Sequence, residues 1–221
     1  MLFKNRNEAG ILLASDLSSY KNQLDVLVIG LARGGVVIAY EIAKKLNLPL
    51  NVVVPRKIGA PGNPELALGS IMANGEGVFN DSIINLLNVS QDYLSTEIEK
   101  EKVIAQQREN SYRRYAPLAK INSKIIILVD DGIATGSTML ASIQAMRGES
   151  VKKVIVAAPV ASVESARLVK ENCDEFVCPH VSRDFIGVGM YYENFDQVSD
   201  SEVIELLQKA NKKNGNHSAD S

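Results

Sequence analysis

A chain of 221 residues, 46% hydrophobic and 23% charged, has the make-up of a globular protein with enough length for one substantial core. Its formal net charge of -2 offers no electrostatic attraction to nucleic acid or an anionic membrane surface, and no apolar run reaches spanning length, so neither partner is expected. Two cysteines, Cys173 and Cys178, and an amino-terminal stretch without a secretory pattern lead to the expectation of a reduced, cytoplasmic setting. With His180 they offer at most three ligands on one short segment, so a structural zinc site is not expected.

In chain order, Asn7–Tyr20 spaces Ile11, Leu12, Leu13 and Leu17 among polar residues as a modest amphipathic helix, expected to cover one edge of a sheet. Asp25–Ile29 reads as a buried strand. It ends at GLARGG, after which Val36, Val37, Ala39, Tyr40, Ile42, Ala43 and Leu46 mark a helix with little polar face. The glycine spacing of Gly30–Gly35 is wrong for the G-x-G-x-x-G of a dinucleotide site. Leu50–Val54 is a further strand. Beyond it Pro55, Gly59, Pro61, Gly62 and Pro64 argue against regular structure across a span that carries Arg56 and Lys57, which predicts a long irregular loop of the kind used as a lid, the alternative being a proline-stiffened surface hairpin with solvated charges. Leu68–Ala73 returns as a strand, Asn74–Gly77 turns and Val78–Phe79 starts back. Residues 81–116 are helical in pattern: a short run with Ile83, Ile84, Leu86 and Leu87, then a helix capped by Ser90 with Tyr93, Leu94, Ile98, Val103 and Ile104 amid charges that read as a solvated face.

The stretch Lys124–Thr138, KIIILVDDGIATGST, organises the rest. Ile125 to Val129 form a strand buried on both faces, which stops at Asp130 and Asp131 and passes through glycines and hydroxyls into a helix marked by Met139, Leu140, Ile143 and Met146. Lys153–Ala158 is another buried strand, Ser162 starts a helix, and Phe176–Cys178 is a short strand. Cys178–Phe195 mixes aromatics, glycines and both charge signs without periodicity. Ser199 to Glu202 is a capping box before a last helix containing Val203, Ile204, Leu206 and Leu207. The polar tail 210–221 is expected to be disordered. These elements predict an α/β fold: one domain over 1–209, a doubly wound, mainly parallel sheet with helices on both faces and a helical insertion at 81–116.

The chemistry follows from what lies at a strand end. A turn of Thr135, Gly136, Ser137 and Thr138 at the start of a helix can aim free amides and hydroxyls at one phosphate. Two adjacent carboxylates repel a phosphate, but they accept hydrogen bonds from vicinal sugar hydroxyls and attract a divalent cation through water. A phosphorylated ribose satisfies both halves.

This order of apolar strand, two acids and GIATGST resembles the phosphoribosyl diphosphate (PRPP) signature of the type I phosphoribosyltransferases. Taken with RKIGAPGNPELALGSI and DFIGVGMYY, it is most similar to a bacterial subgroup whose acceptor is unassigned. The resemblance covers the chain except the tail, and it implies a fold of that kind with a carboxyl-terminal hood at 178–198. It implies that Asp130 and Asp131 meet the ribose hydroxyls and hold Mg²⁺ through water, and that Gly132 and Ala134, Thr135, Gly136, Ser137 and Thr138 wrap the 5′-phosphate. Ala32, Arg33, Gly34 and Gly35 fall where the family has its pyrophosphate loop, with a non-proline cis peptide expected at Ala32–Arg33. Arg56 and Lys57 would lie on a mobile flap and neutralise the leaving diphosphate; Arg33, Lys57, Asp130 and Asp131 form the implied catalytic set. Arg183, Asp184, Phe185, Tyr191 and Tyr192 are the candidates for gripping the acceptor. Ala134 stands where 6-oxopurine enzymes carry an acid, which is closer to the adenine-type pattern. The implied activity is Mg²⁺-dependent transfer of the 5-phosphoribosyl group from PRPP to a nitrogenous base, a small-molecule acceptor. The 81–116 helices could then serve a homodimer contact or offer an arginine to PRPP. Two other classes stay open: a PRPP- or nucleotide-sensing regulator without turnover, and a ribose-phosphate hydrolase.

Overall fold

The computed structural model describes residues 2–117 and 120–215. From the amino end run α1 (Arg6–Asp16), β1 (Val26–Leu31), α2 (Gly34–Leu46), β2 (Leu50–Val53), β3 (Arg56–Ala60), β4 (Asn63–Ile71), β5 (Gly77–Phe79), α3 (Asp81–Leu86), α4 (Gln91–Arg113), β6 (Ile125–Val129), α5 (Ser137–Gly148), β7 (Lys153–Ala157), β8 (Val160–Ser162), α6 (Val163–Asn172), β9 (Glu175–Val177), β10 (His180–Ser182) and α7 (Asp200–Gly215).

The β-branched runs behave as their composition dictates. They form a five-stranded parallel sheet in the order β2-β1-β6-β7-β9, with β6 in the middle and every residue of Ile125–Val129 buried. Parallel strands need both faces covered. Leu13, Val36, Ile38, Ile42, Val203 and Leu207 of α1, α2 and α7 pack on one face with Val28, Ile127 and Ile155, and Met139, Ile143 and Val169 of α5 and α6 pack on the other with Leu27, Ile126 and Val156. Helix α1, capped by the Asn5 side chain, packs on α2 within that layer and does not cover a sheet edge. The approach is close: a Cβ at Gly10 would lie 2.9 Å from the Glu41 Cβ.

Of the two readings of the proline-rich segment, the irregular loop gives way to the hairpin. Strands β3 and β4 pair antiparallel with register shifts at Ile58/Gly59 and Gly59/Ala60, and β5 adds a third strand. Its turn places Pro61 before Gly62 at φ +72°, the residue choice of a type II turn, and Pro64 is the second residue of β4, beside the shifts. The prolines and glycines therefore sit at the turn and the irregularities, where a ladder bond is dispensable.

Helix α4 has more than a solvated face. Its Leu94 packs with Ile58, Leu68 and Ile71 of the hairpin, while Ala105 and Tyr112 are buried against the main core. The Tyr112 hydroxyl bonds Asp200 at the start of α7, and Arg108 reaches the same carboxylate at 3.1 Å. Helix α7 itself corrects the expected tail, since it continues through residues 210–215. Few of its carboxyl-terminal residues are helix breakers, and Lys209 pairs with Glu205 one turn back. Residues 216–221 lie outside those described. The hood stretch 178–198 also carries regular structure missed in the sequence: β10 pairs parallel with β8.

Candidate active site

Strand β6 delivers Asp130 and Asp131 to the carboxyl end of the sheet, next to the exit of β1. The two loops touch. A Cβ on Gly34 would come 1.8 Å from Asp131 Oδ2, and one on Gly35 would come 2.4 Å from the Val129 carbonyl, so only glycines allow the Ala32–Gly35 segment to lie against the acids. The Ala32–Arg33 peptide is cis, as the resemblance implies.

Electrostatics at the acid pair are unusual. Burial pushes the Asp130 carboxyl well above the usual carboxylate range, and the charge of Asp131 adds to it. Asp131 is also raised by burial, but Arg6 opposes the shift. Arg6 Nε donates to Asp131 Oδ2 at 2.8 Å, its Nη1 donates to the Asp196 carbonyl at 2.8 Å, and its guanidinium lies 3.8 Å from the centre of the Phe195 ring. The Tyr192 hydroxyl donates to the Asp131 carbonyl at 2.6 Å, and burial first, then the Asp131 charge, raises its pKa so that it remains a donor. Phe3 packs at a tilt against Tyr192, with ring centres 5.5 Å apart, and its backbone pairs with Tyr191 and Glu193. The amino-terminal segment thus ties the hood to the acids. A pocket of ≈ 330 Å³ opens there, lined by Arg6, Arg33, Gly34, Phe195, Gln197 and Val198. A cavity of ≈ 450 Å³ at the β2 edge, with Asn51, Met72, Glu76 and Arg113 among its lining, includes none of the predicted site residues.

The turn after the acids has the expected openness. Gly132 and Ile133 are buried, Ala134 and Thr135 are exposed, and Gly136 at φ +82° starts α5. None of the amides of Ala134–Thr138 donates to a carbonyl among the described residues; that of Ser137 meets only Thr135 Oγ1, at 3.4 Å. The Thr135 and Ser137 hydroxyls lie 3.3 Å apart.

The other predicted residues divide. Arg33 lines the pocket beside Gly34. Arg56 is engaged elsewhere, with Nε and Nη2 each 2.6 Å from Glu101 Oε2 of α4. Lys57 is half-buried in β3 opposite Ser70. In the hood, Tyr191 stacks with Phe185 at 5.5 Å and meets His180 at a tilt at 5.2 Å, while Arg183 and Asp184 are exposed. Tyr192 is buried and holds the acid loop, which leaves its ring no open face for an acceptor.

Two contributions escaped the sequence. Arg6 belongs to no motif; its one signal is a cation in the first turn of a helix, where the macrodipole disfavours it. The role of Tyr192 depends on a contact across 61 residues. Among the described residues no group of three or more His, Cys, Asp or Glu could hold a metal, and no helix is long and apolar enough to cross a membrane.

Comparison with known proteins agrees with this geometry. The family described as "Phosphoribosyl transferase domain" matches residues 4–194. "Putative phosphoribosyl transferase Rv0571c" and "Putative phosphoribosyl transferase MT0597", both of Mycobacterium tuberculosis, are each 37% identical over 211 residues, 96% of this chain and 47% of theirs. The chain spans about half the length of these curated relatives. The crystal structure of TT1426 from Thermus thermophilus superposes with a TM-score of 0.79 at 40% identity, covering 95% of this chain and 99% of that one. By its fold and by the match across 4–194, the chain belongs to the phosphoribosyl transferase domain family.

Proposed function

We propose that the domain moves the 5-phosphoribosyl group of PRPP onto a ring nitrogen of a small base, releasing diphosphate, with Mg²⁺ as cofactor. The observation that carries this is the meeting of three features at one end of the sheet: a pair of acids, a turn whose amides make no bond to a protein carbonyl, and a glycine-bearing loop with Arg33 pressed against the acids.

The Asp130 and Asp131 carboxylates accept hydrogen bonds from the two ribose hydroxyls and fix the sugar, while the amides from Ala134 to Thr138 hold its 5′-phosphate. That leaves the anomeric carbon facing the Ala32–Gly35 loop, where the Arg33 guanidinium stabilises charge on the departing diphosphate. Lys57, on the hairpin, is the second candidate for that charge. Displacement then passes through a transition state with oxocarbenium character, for which the two acids hold the sugar in position. Two adjacent carboxylates suit a hard cation that keeps its water, so Asp130 and Asp131 would hold Mg²⁺ through water. When bound, Mg²⁺ neutralises diphosphate charge. For the acceptor, Phe185 and Tyr191 offer stacking surface, with Arg183 and Asp184 available to a ring edge.

The test is a Mg²⁺-dependent diphosphate-release assay with PRPP against a panel of bases, beside a no-base control. Release that needs one base supports transfer. Release without base supports the hydrolase, and PRPP binding with no release supports a sensor. Asp131→Asn and Asp130→Asn should each raise the PRPP KM by about tenfold or more, the weight of one or more lost charge-assisted hydrogen bonds. Unchanged PRPP affinity in both would remove the acids from the site.

A further inference from the structure

We infer that Ser162 and Ser165, on the β8–α6 junction, are positioning residues that aim the backbone amides of Ala134 and Thr135 at the 5′-phosphate. This rests on the phosphate-turn reading above. Both serines are buried, Ser165 at 1% and Ser162 at 7% exposure, so neither touches a ligand itself.

The geometry is set by the peptide group. In a trans peptide the carbonyl oxygen and the following N–H point in opposite directions, so whatever holds the oxygen also aims the amide. The Ile133 carbonyl accepts from Ser165 Oγ at 2.8 Å and from the Ser162 amide at 3.1 Å, and its partner N–H is that of Ala134. The Ala134 carbonyl lies 3.0 Å from Ser162 Oγ, and its partner N–H is that of Thr135. Two consecutive carbonyls are therefore turned inward onto α6, and the two amides are turned outward. Ala134 and Thr135 are exposed, and neither amide has a protein acceptor among the described residues.

Ordinary capping does not account for both hydroxyls. The cap of α6 needs only Ser162 Oγ, which accepts from the Ser165 amide at 3.0 Å. The Ser165 hydroxyl is surplus to that cap: it lies 2.8 Å from the Ile133 carbonyl, 32 residues away in sequence, closer than the 3.2 Å to the Ser162 carbonyl of its own turn. The two hydroxyls are 2.9 Å apart, so when Ser162 donates to Ser165 they act in series on Ile133, and when it donates to Ala134 each holds its own carbonyl. With the Ser165 hydroxyl gone, the Ile133 carbonyl keeps only the Ser162 amide, so the exposed turn gains freedom to rotate its peptide planes and the anion meets donors that are less firmly in place.

The experiment compares the parent chain with Ser165→Ala and Ser162→Thr, using ribose 5-phosphate and inorganic diphosphate as separate calorimetric probes. Ser165→Ala should bind ribose 5-phosphate about five- to tenfold more weakly, the effect of about one hydrogen bond, and diphosphate as the parent does. Ser162→Thr, which keeps the hydroxyl and the cap, should retain both affinities. A folded Ser165→Ala with the parent's ribose 5-phosphate affinity overturns the inference, and so does an equal loss for both probes, which marks a general loosening. A measurement on the parent alone guards against misfolding of the variant: the ¹⁵N–¹H resonances of Ala134 and Thr135 should move on saturation with ribose 5-phosphate, and unmoved resonances also overturn it. If the parent binds no ribose 5-phosphate, the reading of the site falls and takes this inference with it.

Discussion

Arg6 is the residue on which the acid pair most depends, because a buried carboxylate without a partner is costly and Asp131 already shares its surroundings with Asp130. Its side chain is 10% exposed and Asp131's is 16%, so the pair is largely sheltered from screening. Arg6→Met replaces the guanidinium on Phe195 by a thioether contact and deletes the charge. Stability should fall by about 1–3 kcal/mol, below the range for fully buried pairs, and the PRPP KM should rise, with Arg6→Lys intermediate because it loses the fork. Thermal melts and initial rates across PRPP concentrations would show this; an unaltered KM beside a lowered melting point would make the pair purely structural. Asp130, Asp131 and the Thr135–Thr138 turn are legible in the sequence because their chemistry is local, a strand that ends in charges and donors. Arg6, Tyr192 and Ser165 are not, because each acts through one contact with a distant segment and the residue type alone does not announce it.

Among the elements, the β3–β4 hairpin stands outside the main sheet and takes its position from α4. The Tyr93 hydroxyl donates to the Gly59 carbonyl at 3.0 Å, beside the register shift, and Glu101 takes Arg56. These ties give the 81–116 helices a use other than a subunit contact or an arginine for the substrate: they set where the hairpin, and with it Lys57, stands. Tyr93→Phe and Glu101→Gln should each cost about 1 kcal/mol or less in global stability, yet speed amide exchange in 56–71 and raise the PRPP KM. Exchange rates equal to the parent's would show that the hairpin is held by its apolar contacts with Leu94 alone. Element type is legible where a pattern is long, as in α2 or β6. It is ambiguous between loop and hairpin at 55–64, because proline and glycine counts say that a ladder is interrupted, and not that the interruptions fall at a turn and a bulge.

At the scale of the molecule, the candidate ligand site is made from pieces separated by most of the chain: Arg6, the 32–35 loop, the 130–138 turn and the hood residues around Phe195. Unfolding disperses all of them, so a ligand that bridges them stabilises the whole fold. At PRPP concentrations about 100-fold above Kd the gain is about 2.7 kcal/mol, and for a domain of this size about 2–4 °C per kcal/mol makes a rise of roughly 5–11 °C. The same site should weigh against the unliganded fold. Burial and the charge of Asp131 hold the Asp130 carboxyl above its ordinary range, which means that ionising it costs more in the folded chain than in the unfolded one; stability from this group therefore falls as pH rises through its titration. Asp130→Asn removes that charge and can keep the acceptor for the Asp131 amide, now 2.9 Å from Asp130 Oδ1. The variant should melt higher than the parent at neutral pH without ligand and show a smaller rise with PRPP and Mg²⁺. Differential scanning calorimetry of both proteins, with and without ligand, measures the two shifts together. A variant that melts lower unliganded and gains as much from PRPP as the parent would mean that Asp130 supports the fold and does not meet the ribose.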